Sequence, residues 1–316
     1  MRDVGHEHDH HGHHGHDHAH VHVDPATADR GPLAIALAII LVFMVVEVVA
    51  GLVADSVALL SDAAHMLTDA GAIGLALVAA RLASRPARGP FTFGLGRAEV
   101  LSAQVNGAVL LALAAVLGYE ALGRLADPPD VEGGLVIVVG AAGAVANVAA
   151  AFALARASRR SLNVEGAMAH VMTDLYGSVA AIVAGVLVVT AGFELADPIA
   201  ALVVVALMLR SSWYLLRASG RVLLEAAPTG IDVQAVGTRM SRHPGVVEVH
   251  DLHVWELTSD FPALAAHVMV ASGADCHSIR RELEAVLRQD FDIEHTTLQV
   301  DHAPAPGLVQ LEPRAH

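Results

Sequence analysis

Six apolar stretches, near residues 33–54, 57–81, 98–122, 134–156, 166–191 and 198–216, constrain this chain more than any other feature. Each approaches or exceeds the ~20 residues an α-helix needs to cross a bilayer's hydrocarbon. Lipid offers no partner to backbone N–H and C=O groups, so segments of this kind must bond internally, as helices. Charged residues make up 16% of the chain, against roughly 25% in average soluble domains. The fold class expected is an α-helical membrane protein with six transmembrane helices and a modest soluble part.

Arginine positions orient the spans. All 19 basic residues are Arg. Arg30, Arg81, Arg85, Arg88, Arg97, Arg156, Arg159, Arg160, Arg210 and Arg217 fall before span one or after spans two, four and six. The opposite loops carry Asp55, Asp127, Asp130, Glu132, Glu194 and Asp197, with only Arg124 nearby. The positive-inside rule puts both termini in the cytoplasm, as an even span count requires. The expected location is the cell's inner membrane.

Residues 1–30 form a low-complexity tail with ten His between His6 and His22, interleaved with Gly, Asp and Glu. Such a segment has no apolar periodicity and is expected to be disordered without metal. It lacks the apolar core and cleavage site of a secretory signal. The transmembrane domain is assigned to 31–216 and a cytoplasmic domain to 217–302, leaving 303–316 as a loose tail. In the cytoplasmic domain the patterns predict a helix near 231–242, strands at 246–257 and 264–271, a helix near 275–289 and a strand at 296–301. The order α-β-β-α-β implies a small open-faced α+β sandwich.

Spans two and five each carry a His and an Asp four residues apart, His65/Asp69 and His170/Asp174. That spacing stacks the two side chains on one helix face. Ionisable groups inside hydrocarbon cost several kcal/mol and normally face a partner or a cavity. Two imidazoles and two carboxylates suit tetrahedral Zn²⁺, whereas Mg²⁺ and Ca²⁺ prefer all-oxygen sites. His65 lies about eight residues into an inward-running span, roughly 12 Å deep, and His170 a similar count into an outward-running one, so the pairs reach similar depths. Zn²⁺ with two carboxylates and two neutral imidazoles is formally neutral. Without the metal, desolvation and like-charge repulsion favour proton uptake, and metal entry must displace those protons. One site could therefore exchange zinc for protons.

These residues resemble the cation diffusion facilitator family, over about residues 30–302. The resemblance is carried by Ser56 to Asp69, by the loop Phe91-Thr-Phe-Gly-Leu-Gly-Arg-Ala-Glu-Val100, by His170/Asp174 and by His250-Asp-Leu-His-Val-Trp255, in that order. It implies a homodimer of six-helix protomers that exports divalent metal against protons, with a metallochaperone-like cytoplasmic domain. The family's transport ligands map onto His65, Asp69, His170 and Asp174, a combination similar to its zinc branch. Its cytoplasmic zinc centre maps onto His250, His267, His277 and Asp301, with Gln299 at one ligand position and His253, Cys276 and His302 nearby. The loop Leu82–Gly96 has no His, Asp, Glu or Cys, so a second site that some members carry there is not expected.

Several classes are excluded or set aside. A net charge of −14 argues against nucleic acid, which needs a basic face. The loop at 91–96 lacks GxxxxGK[ST] and the chain has no Lys, so no ATP is implied. No HExxH occurs, which sets aside a zinc hydrolase. Asn106 and Asn147, also in spans, read as interhelical hydrogen-bonding groups. The alternatives left open are export of cobalt, cadmium, nickel or iron, and a metal sensor or buffer without transport.

Overall fold

The computed structural model describes residues 29–53, 57–126, 133–157 and 161–304, with the side chains of Ala50, Gly51, Val53 and residues 57–65 outside that description. The His-rich segment, the final residues and the side chain of His65 thus lie beyond what it describes.

Six long helices run through the first two thirds of the chain: α1 (Arg30–Val53), α2 (Val57–Ala83), α3 (Arg97–Ala126), α4 (Gly133–Leu154), α5 (Leu162–Ala191) and α6 (Ala196–Leu223). All six contain windows long and apolar enough to cross a membrane. Two outrun their apolar stretches at the arginine-bearing end. Helix α5 starts at Leu162 behind a Ser161 cap, and α6 continues to Leu223. Helix geometry does not need lipid once the chain leaves the hydrocarbon, so polarity marks the membrane boundary rather than the helix end.

The bundle's inner faces are built from small residues. One cluster packs Leu33, Ala36 and Ile40 of α1, Ala70, Ile73 and Ala76 of α2, Ala150 and Ala153 of α4 and Ala167 and Val171 of α5. Large aliphatics such as Val42, Leu52, Val138 and Val145 stay exposed on the outside, as a lipid-facing surface requires. Between α4 and α5 the backbones nearly touch: a Cβ on Gly185 would lie 2.8 Å from the Gly133 carbonyl oxygen. Without a hydrophobic drive between helices in lipid, close contact of this kind is what holds them together. Buried polar side chains add to it. Asn163 Nδ2 donates to the Ala76 carbonyl at 2.7 Å, and Ser212 Oγ donates to the Gly107 carbonyl at 2.8 Å.

The C-terminal domain follows: α7 (Val233–Ser241), β1 (Val246–Thr258), β2 (Phe261–Val270), α8 (Cys276–Phe291) and β3 (His295–His302). Strands β1 and β2 pair antiparallel, β2 and β3 parallel. Helix α8 is the crossover that a parallel pair needs. Its Ile279, Leu283 and Leu287 pack with Val268, Val270 and Leu298, so helices cover one sheet face and the other stays open. The α-β-β-α-β expectation holds.

The tip of the β1–β2 hairpin meets the bundle's arginine-rich end. Arg97 Nε donates to the Leu257 carbonyl at 3.2 Å, and its Nη2 reaches Glu225 Oε1 at 3.2 Å. Ser259 Oγ accepts the Leu162 N–H at 3.4 Å. Gly96 permits the approach, because a Cβ there would sit 2.4 Å from Thr258 Cγ2.

Candidate metal centres

Asp69 on α2 and His170 on α5 face each other across the bundle. Both are buried, His170 to 1% exposure, and Asp69 Oδ1 lies 3.7 Å from His170 Nδ1. That is beyond hydrogen-bond reach. It is close to the ~3.4 Å edge between oxygen and nitrogen ligands on a tetrahedral zinc with bonds of ~2.0–2.2 Å. His170 Nε2 has no hydrogen-bond partner among the described residues. Asp174 sits one turn further along α5. With Asp69 it lines a cavity of about 390 Å³ to which all six helices contribute, through Ile40, Met66, Leu117, Gly140, Thr173 and Met208 among others. Thr173 Oγ1 donates to the Ala169 carbonyl and Ser178 Oγ to the Asp174 carbonyl, each at 2.8 Å. Those hydroxyl protons are thus engaged within α5. A largely apolar cavity lined by two carboxylates suits a cation, since ionised groups away from bulk water need compensating charge.

Asn147 of α4 also lines this cavity. The sequence suggests an interhelical hydrogen bond for it, yet its buried Oδ1 has no partner among the described residues. Asn106 does follow that expectation, its Nδ2 lying 3.5 Å from the Ala72 carbonyl. Spacing alone cannot separate the two amides, because the difference is which neighbour each helix turns toward.

A second group lies on the open face of the C-terminal domain's sheet. His250 of β1 and His267 of β2 are cross-strand partners whose rings meet edge to face, centroids 5.3 Å apart. With Asp251 they present ligand atoms all within 4.8 Å of one another. Asp251 is absent from the sequence-based ligand set for a physical reason. In a regular strand it would point away from His250, since successive side chains alternate. The β1–β2 register shifts between His250 and His253, and Asp251 takes φ = 50°. That bulge swings its carboxylate to 3.5 Å from His267 Nδ1. Gln299 lies beside His267 in register, and its Nε2 donates to Asp301 Oδ2 at 2.9 Å. Asp301 and His277, the latter in the first turn of α8, do not join the three-residue group. Glu256, further along β1, is half-buried and its carboxyl is pushed above the usual range by desolvation, a shift partly offset by the Asp260 N–H it accepts at 2.8 Å.

Residues 33–224 match the cation efflux transmembrane domain, and residues 228–303 match the cation efflux protein cytoplasmic domain. The chain belongs to the cation efflux, or cation diffusion facilitator, family. It is a metal cation efflux transporter and an integral membrane protein. It is 39% identical over 267 residues to the zinc transporter ZitB of Escherichia coli, covering 84% of this chain and 85% of that one. Identity is also 39% over 273 residues to the metal cation efflux system protein CzcD of Cupriavidus metallidurans, with 86% of each chain covered. A cadmium, cobalt and zinc/H(+)-K(+) antiporter of Bacillus subtilis is 35% identical over 279 residues, 87% of this chain and 89% of that one. Among solved structures, the metal-bound C-terminal domain of the CzcD transporter is 35% identical, covering 22% of this chain and 97% of that one, with a TM-score of 0.22.

Proposed function

We propose that this family member exports zinc from the cytoplasm in exchange for protons, carrying it on His65, Asp69, His170 and Asp174. The observation that carries the reading is the buried approach of Asp69 to His170, two side chains from separate helices at a spacing a zinc ion would bridge. The shared cavity beside Asp69 and Asp174 supports it. In a helix, His65 lies one turn before Asp69, on the same face. Two nitrogens and two carboxylates then hold the cargo with no net charge. When zinc leaves, protons take its place, because two carboxylates facing each other away from water are costly. A site that must be either metallated or protonated couples the two fluxes.

The arginine distribution supports cytoplasmic termini and placement in the inner membrane. The match to the family's cytoplasmic domain supports a homodimer. Residues 1–30 gather metal, 31–216 form the transport domain and 217–302 a cytoplasmic domain, with 303–316 as the C-terminal tail. The His250/Asp251/His267 group serves as a cytoplasmic zinc-binding centre, to which His277 and Asp301 contribute after rearrangement or across the dimer. Names of the relatives include cadmium and cobalt beside zinc, and both ions fit a nitrogen-and-oxygen site. The test is zinc uptake into inverted vesicles by Asp174→Ala. Flux should vanish while the protein stays folded in the membrane. Flux near that of the wild type would remove Asp174 from the site.

A further inference from the structure

Cys276 and His302 form another pair of metal-ligating side chains, outside both centres described above. Cys276 opens α8 directly after the cap Asp275, whose carboxylate accepts the N–H groups of His277 and Ser278 at 3.0 and 3.1 Å. His302 closes β3, in register with Val270. Side chains alternate along that strand. Gln299 and Asp301 share the open face, while Leu298 and Val300 pack toward α8, and His302 continues their side. Its imidazole therefore rests against the start of the helix. Cys276 Sγ lies 3.5 Å from His302 Nε2 and 3.8 Å from Nδ1. His302 Nε2 is also 3.0 Å from the Ala274 carbonyl.

Two features of this contact suit a metal. The first is spacing. Zinc bonds of about 2.3 Å to sulfur and 2.0–2.1 Å to nitrogen put the two ligand atoms ~3.6 Å apart at a tetrahedral angle, and the 3.8 Å from Cys276 Sγ to His302 Nδ1 is close to that value. The second is the ring's outer partner. A carbonyl only accepts, so Ala274 takes the Nε2 proton and leaves Nδ1 with its lone pair. Metal-bound histidines are oriented in this way, by an acceptor on the nitrogen that does not bind. His302 is exposed and Cys276 half-buried, so water can reach the remaining coordination positions.

We propose that Cys276 and His302 are a two-ligand port for a soft divalent cation, Cd²⁺ ahead of Zn²⁺, on the helix side of the cytoplasmic domain. The port is separate from the His250, Asp251 and His267 group and stands whether or not the intramembrane site is as proposed. A thiolate favours softer ions than imidazole and carboxylate do. Two protein ligands with open positions make an exchangeable site, suited to passing an ion on rather than storing it.

The single cysteine of the chain makes the test specific. The full-length reduced protein, in detergent micelles, is titrated with Cd²⁺ while the near-ultraviolet thiolate-to-cadmium charge-transfer band is followed. Whatever the His-rich segment binds, this band comes from Cys276 alone. It should saturate at one ion per protomer and be absent in Cys276→Ser. His302→Gln, which retains an N–H donor for Ala274, should weaken the binding that produces the band about tenfold or more. His295→Ala, at a histidine outside both centres that packs against Phe93 and Phe261, should leave it unchanged. Unaltered affinity in a folded His302→Gln protein would overturn the proposal, leaving a lone thiol. A loss as large in His295→Ala would show an effect not specific to His302 and overturn it equally.

Discussion

Replacing Asp69 by Asn keeps the shape of the proposed intramembrane site and removes one of its charges. Asp69 is 5% exposed and His170 1%, so bulk water compensates poorly for the lost carboxylate oxygen. Removing one partner from a buried charge pair costs about 3–5 kcal/mol, and each ~1.4 kcal/mol is tenfold in affinity. Zinc affinity at this site should therefore fall by about 10²- to 4 × 10³-fold. The measurement is calorimetric or competitive-chelator titration of protein in nanodiscs, lacking residues 1–24 and carrying His250→Ala, His267→Ala and Cys276→Ser, so that other metal-binding groups do not mask the site. Proton release per zinc, read from the dependence of the binding heat on buffer, should fall by about one where both carboxylates had been protonated. An Asp69→Asn affinity within about threefold of the parent, with unchanged proton release, would refute the reasoning.

Two predictions concern the cytoplasmic domain. Asp251→Asn tolerates the same left-handed backbone but offers no carboxylate, so metal affinity of the His250/His267 group should drop about 10- to 100-fold by titration against a competing chelator; an unchanged value would remove Asp251 from the group. Glu256 has its carboxyl raised by burial, so the folded domain holds a proton that the unfolded chain has released. Its stabilising effect is present at acid pH and is lost as pH rises through the raised value. Glu256→Gln, which keeps the acceptor for Asp260, should raise the melting temperature at neutral pH and change it little near pH 4; equal shifts at both would contradict this.

The six spans and the α-β-β-α-β order are legible in the sequence because each rests on a repeating signal, apolar length in one case and alternation or helical period in the other. What is not legible depends on local departures from period. Asp251 reaches His267 only through a bulge that β-strand alternation does not anticipate. Asn106 and Asn147 look alike in sequence, yet the first hydrogen-bonds a neighbouring helix and the second lines the cavity, a difference in facing that residue type does not encode. Asn163 lies just outside the apolar stretch of span five, and only the earlier start of α5 brings it against Ala76. Of the four intramembrane ligand candidates, the approach of Asp69 to His170 is described directly, Asp174 joins Asp69 through the cavity, and the His65 side chain lies outside the described residues.

The central claim is that one intramembrane site holds either zinc or protons. The most direct measurement is simultaneous zinc and proton flux in proteoliposomes carrying a zinc-sensitive and a pH-sensitive dye. Zinc moving into the lumen should alkalinise it as protons leave, and an imposed pH gradient should drive zinc the opposite way. Both responses should be lost together in Asp69→Asn/Asp174→Asn. Zinc movement with no proton movement, and no response to the imposed gradient, would contradict antiport and leave a zinc pathway without coupling.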